Sequence, residues 1–149
     1  MNNIVSVVMT VFNREKIVAY SIKSVLSQSE KNFELIIVEN GSTDNSLEIV
    51  KEYEKIDNRI KVVELKNNVG PAEGRNIGVK NTNSNLIFML DSDDLMLPDA
   101  LYHQKKFINS NPEAAVIGCL AEYINTKGEV FGKSSSSFYT KSDLEILIK

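Results

Sequence analysis

Three carboxylates, Asp91, Asp93 and Asp94, stand between the apolar runs "FML" and "LML". Like charges this close repel, so their crowding calls for a counter-charge. In an extended chain alternate side chains share a face, which points Asp91 and Asp93 one way and Ser92 and Asp94 the other. A D-x-D at a strand end therefore aims two hard oxygen ligands at one spot. Such a set suits Mg²⁺ or Mn²⁺, which keeps waters and takes phosphate oxygens to complete its shell. A turn that only caps a helix, through Asp94 or Asp99, needs one carboxylate and not three.

Other candidate groups follow the apolar runs. Arg75 carries a planar fork for a diphosphate or an aspartate. Glu39 can accept from a base N–H or simply be solvated, and Thr10 and Asn13 either meet a ligand or organise a turn. His103, the sole histidine, is expected on an exposed helix face and is read as neither ligand nor base. Cys119, the sole cysteine, lies in "AAVIGCL" and is expected to be a buried apolar thiol. With no Ser-His or Cys-His pair placed, nucleophilic schemes of that kind are excluded.

The elements that must position these groups read as strand and helix in alternation. "IVSVVMT", "FELIIVE", "RIKVVEL" and "NLIFML" are short apolar runs suited to buried parallel strands. Helices are expected between them, with Val18, Ile22, Val25 and Leu26 on one face, then Ile49, Val50 and Tyr53 after a cap at Ser42 or Thr43. A third, short helix opens at Pro71 and is weakened by Gly74, and a fourth follows Pro98 with Ala100, Leu101, Gln104, Phe107 and Ile108 on one side. Four alternations predict an α/β fold, a mainly parallel, doubly wound sheet with helices on both faces. Ligands then bind beyond the carboxyl ends of the strands, where Asn40, Gly41, Asn67, Asn68 and Gly70 join the groups above. Further on, "AAVIGCLAEYIN" and "TKGEVFGK" read as an antiparallel strand pair, "SSSS" as a solvated loop, and "TKSDLEILIK" as a helix capped by Thr140 or Ser142.

The 149 residues are 42% hydrophobic and 25% charged with a net charge of -3, the make-up of one globular domain. Lysines and arginines are scattered among acids, so no basic field awaits nucleic acid. No signal or membrane-spanning segment is seen, and no disulfide framework, which predicts a cytoplasmic setting.

Together, "VSVVMTVFNREKIVAYSIKSVLSQ", "FELIIVENGSTDNS", "NNVGPAEGRNIGV" and "LIFMLDSDDLMLPDAL" resemble the family 2 glycosyltransferases, whose donor-binding domain has the GT-A type nucleotide-diphospho-sugar transferase fold. Four motifs in the family's order, over about the first three quarters of the chain, carry the likeness. It implies an inverting enzyme that moves a sugar, commonly from a UDP donor, to an acceptor hydroxyl in cell-surface polysaccharide or glycan synthesis. Carried over by position, Thr10 and Phe12 would line the base and ribose pocket, Glu39 would contact the uracil, and Asn67 would sit near the base. Arg75 would support the base or diphosphate, and Asp91, with Ser92 beside it, would hold the ribose side. Asp93 would be the chief ligand of a Mn²⁺ or Mg²⁺ ion, with Asp94 orienting the site or assisting the metal.

Two points depart from the family pattern. Glu39 and Asn40 stand where the family usually shows two aspartates, which bears on base preference. The general base usually belongs to a later acceptor-binding part, so none is assigned here and it is expected beyond Lys149. Within a single domain over residues 1–149, the alternation fills 1–110, and 111–149 reads as a partial, truncated acceptor-side region. The acceptor would be a glycan or a lipid-linked sugar, and peripheral association with the inner membrane face would come from parts outside this stretch. A non-catalytic nucleotide-sugar binding module is the alternative reading. A signalling receiver domain needs carboxylates after the first strand, where Thr10, Val11 and Phe12 stand, and a sugar nucleotidyltransferase needs a glycine-rich basic loop that "TVFNRE" does not supply.

Overall fold

The computed structural model describes residues 4–134. The chain divides into two compact units, up to Asn111 and from Pro112 onward.

In the first unit β1 (Val5–Val11), β2 (Phe33–Asn40), β3 (Ile60–Leu65) and β4 (Ile87–Asp91) form one sheet in the order β3-β2-β1-β4, every pair parallel. β1 and β2 lie inside and are buried along nearly their whole length, which is why they read as unbroken apolar runs. Helices α1 (Val18–Leu26), α2 (Ser46–Ile56), α3 (Pro71–Lys80) and α4 (Ala100–Ser110) connect and follow them. Val18, Ile22 and Val25 of α1, Val50 of α2 and Leu101 of α4 close over Val5, Val7, Met9, Leu35 and Ile37. The alternate strand residues face α3, whose buried Gly78 lies against Val8 and Val38. Helices therefore cover both faces, as the alternation predicts.

The glycines of α3 do more than weaken a helix. A Cβ at Gly78 would overlap Val8 Cγ1, and one at Gly74 would stand 3.0 Å from Thr10 Cγ2, so both let the helix approach the sheet. The capping expectations differ from the structure. α2 begins at Ser46, beyond Ser42 and Thr43, and the side chain of Asp99 makes no capping bond to α4. Phe107, expected on the buried side of α4, is 51% exposed.

In the second unit β5 (Glu122–Ile124) and β6 (Val130–Lys133) pair antiparallel around a turn in which Gly128 takes φ 81°. The expected strand from Ala114 is therefore shorter and starts at Glu122, since β6 offers a ladder partner only there. Cys119 is exposed, in contrast to the expectation, and Val116 and Leu120 beside it are exposed too: an apolar run buries a thiol only where another layer covers it. The helix expected over "TKSDLEILIK", and "SSSS" after Ser134, lie outside the described residues. Among the described residues, no helix is long and apolar enough to cross a membrane.

Candidate functional site

The parallel register aligns the carboxyl ends of the strands. Thr10 lies opposite Val38 on one side and Asp91 on the other, and Val11 opposite Glu39. At this rim opens a cleft of about 320 Å³ lined by Thr10, Val11, Phe12, Arg14, Asn40, Asn68, Pro71, Arg75, Asp91, Ser92 and Asp93.

Its floor is built from loops fastened to one another. Asn13, at φ 53°, donates its N–H to Ser42 Oγ and accepts from Thr43 N–H at 2.9 Å. Arg14 N–H donates to Ser46 Oγ, and Glu15 N–H to Asp44, which joins the loop after β1 to the one after β2. Glu39 is buried. Its carboxylate accepts from Ser42 N–H at 2.9 Å and Gly41 N–H at 3.2 Å, and it does not line the cleft. Asn40, also buried, donates to Asn68 Oδ1 and the Gly70 carbonyl and accepts from Val69 N–H, so one amide shapes the loop before α3. Asn67 is exposed and off the cleft lining, its backbone pressed against Gly41. A Cβ at Gly41 would stand 2.7 Å from that backbone, and its φ of 70° independently favours glycine.

The acidic segment is a turn. β4 ends at Asp91, whose carbonyl accepts from Asp94 N–H at 3.0 Å, so side-chain alternation stops there. Asp91 and Asp93 nevertheless both reach the cleft, because the turn rather than the pleat brings them round; Asp94 does not line it. The turn and the segment after it hang from a polar stripe on α1. Ser21 Oγ donates to the Ser92 carbonyl at 2.8 Å, and Ser24 Oγ accepts from Met96 N–H at 3.0 Å. Gln28, just past the helix and fully buried, donates to the Leu97 carbonyl at 2.7 Å and accepts from Leu101 N–H at 3.1 Å.

Two arginines answer the carboxylates. Arg75 meets Asp91 at 2.6 Å and Arg14 meets Asp93 at 3.4 Å. Asp94 has no such partner among the described residues; partial burial, then the charges of Asp91 and Asp93, raise its pKa above the usual aspartate value. Among the described residues no three acids, histidines or cysteines converge on a single metal position. Asp91 and Asp93 offer two hard oxygen ligands on one cleft wall, which fits a cation that takes its other ligands from water and phosphate.

Residues 6–147 match the family described as Glycosyl transferase family 2. The chain belongs to that family. An uncharacterized glycosyltransferase of Rickettsia felis is 39% identical over 136 residues, 91% of this chain and 22% of that protein. The glycosyltransferase GlyG of Streptococcus pneumoniae is 31% identical over 134 residues, 88% of this chain and 44% of that protein. The crystal structure of Staphylococcus aureus TarS 1-349 in complex with UDP-GlcNAc superposes with a TM-score of 0.66 at 30% identity, covering 71% of this chain and 31% of that one. The chain thus spans less than half the length of each of these proteins.

Within this family 2 chain, sequence reading named most of the cleft lining and passed over Arg14. The signal was available: Arg14 directly follows Asn13 in the loop after β1, the loop that parallel topology delivers to the rim.

Proposed function

We propose that this chain is the donor-binding part of an inverting glycosyltransferase, taking a sugar from a UDP-linked donor to a hydroxyl of a cell-surface glycan or lipid-linked acceptor. The observation that carries this reading is the convergence of Thr10, Phe12, Arg75, Asp91 and Asp93 on one cleft at the carboxyl ends of parallel strands. The UDP-GlcNAc bound by TarS supports a UDP donor. Thr10 and Phe12 face base and ribose, Asp91 and Ser92 hold the ribose side, and Arg75 supports the base or diphosphate. Glu39, which accepts from Gly41 N–H, and Asn67, whose backbone packs against Gly41, shape the base side of the site through that turn. A divalent cation, Mn²⁺ or Mg²⁺, would be held chiefly by Asp93 with Asp91, Asp94 assisting, and would supply Lewis-acid stabilisation of the departing diphosphate. Its setting in this reading is cytoplasmic.

One observation favours a second reading, a nucleotide-sugar binding module without turnover. Both carboxylates in the cleft lining are paired with arginines, which leaves no unpaired carboxylate among the described lining residues to take an acceptor proton. Calorimetry with UDP tests the shared donor site. Binding that requires Mn²⁺ and weakens at least about tenfold in Asp93→Ala is expected; equal affinity in that variant would remove the metal role of Asp93. Turnover of a UDP-sugar by this chain would dismiss the second reading.

A further inference from the structure

Among the described residues of the first unit, Arg14 is the one guanidinium held firmly at its backbone and loosely at its head. Its N–H donates to Ser46 Oγ at 2.8 Å, and its carbonyl accepts from Ile17 and Val18, where α1 begins. Among the described residues the head makes only long bonds, 3.4 Å to Asp93 and 3.3 Å to the Asn13 carbonyl, and its Nε–H, shielded from solvent, meets no acceptor. Arg59, by contrast, grips Asp57 through two nitrogens at 3.0 and 2.7 Å. A shielded donor with no acceptor is costly, and a guanidinium carries five N–H groups in a fixed fork.

The charges of the cleft lining also balance, Arg14 and Arg75 against Asp91 and Asp93. A divalent cation entering alone would have to displace an arginine from a carboxylate and leave the cleft with excess positive charge. A diphosphate entering alone would leave excess negative charge. Each ligand therefore removes the obstacle to the other, and the Arg14–Asp93 pair, the longer of the two, is the one that opens first.

We propose that Arg14 is a diphosphate-binding residue whose ion pair with Asp93 is exchanged on loading, the carboxylate passing to the cation and the guanidinium to the diphosphate oxygens. The proposal rests on the donor-site reading above. It makes Arg14 a competitor for the cation and a partner for the nucleotide, so its removal acts with opposite signs on the two ligands. A residue that only braced the fold would weaken both.

The test is calorimetry on wild type, Arg14→Gln and Arg14→Lys, with MnCl₂ alone and with UDP at saturating Mn²⁺, after thermal unfolding has verified folding. Arg14→Gln is expected to bind Mn²⁺ alone several-fold more tightly than wild type and UDP about tenfold more weakly. Arg14→Lys keeps the charge but not the fork, and is expected between the two for UDP. If wild type binds UDP and Arg14→Gln binds it equally well, or if both ligands weaken together, the role of Arg14 is refuted and the donor site stands. A wild type with no UDP affinity overturns both.

Discussion

Gln28→Leu removes an amide that joins three segments while nearly preserving volume. In the wild type its Oε1 is the acceptor for Leu101 N–H in the first turn of α4, a buried donor that the helix itself cannot satisfy. Leaving that group without a partner costs about 1–3 kcal/mol, and loss of the 2.7 Å bond to the Leu97 carbonyl adds about 1 kcal/mol. The Ser24 carbonyl, which the same amide meets at 3.1 Å, keeps its bond from Ser27 Oγ and adds little. Extra apolar burial by leucine offsets part of this, for a net loss of about 1–3 kcal/mol. For a chain of this size that is a fall in Tm of roughly 3–12 °C. Urea and thermal unfolding measure the total, and amide hydrogen exchange locates it: Met96 and Leu101 should lose protection while β1 and β2 fall only with global stability. A Tm within a degree or two of wild type, or unchanged protection at Leu101, would show that Gln28 does not fasten these segments. Gln28→Glu sharpens the case, since it sets an oxygen against two carbonyls unless it is protonated. Its folded pKa is then raised, so its stability is retained in acid and lost as pH rises through that pKa.

Gly78→Ala gains helix propensity of about 1 kcal/mol but drives a methyl into Val8 in a buried strand, an overpacking cost of about 1–3 kcal/mol. It should be less stable than Gly74→Ala in the same denaturation series, because the Cβ there meets Thr10 only at 3.0 Å. Glu30 bonds Lys105 at 2.7 Å, and this bond, then the Asn32 N–H, holds its carboxyl below the usual glutamate pKa. A depressed folded pKa contributes stability above the ordinary value of about 4.3 that is lost as pH falls through the folded pKa. The Tm gap between wild type and Glu30→Gln should therefore be open at pH 7 and close in acid.

What the sequence made legible was what local pattern encodes. The runs of β1 and β2 announce themselves because both faces are covered, and the stripe of Val18, Ile22 and Val25 because helical period brings it to one face. Phe12, Arg75, Asp91 and Asp93 followed from topology, since loops at the carboxyl ends of parallel strands must share a rim. What was hidden depends on distance along the chain. Gln28 meets partners about seventy residues away, and a lone glutamine after a helix carries no mark of it. Glu39 was left open between a base N–H and solvent, with the uracil contact implied by the family resemblance alone, and no local pattern shows that its oxygens reach the two amides of its own turn. Cys119 shows the same limit from the other side, for composition suggests burial and only a covering layer provides it.

The stripe on α1 holds the acidic turn by its backbone: the Ser92 carbonyl, the Met96 amide, the Leu97 carbonyl and, at the start of α4, the Leu101 amide. None of these contacts reads the identity of a side chain between Asp93 and Leu97. With Met96 buried in the core, the loop is thus a shelf whose position rests on these backbone bonds and that one side chain, not on the residues it displays to the cleft. Asp93, Asp94, Leu95 and Leu97 can be randomised together in a library with the surrounding strands and helices left in place, and what changes among the survivors will be ligand preference rather than foldedness.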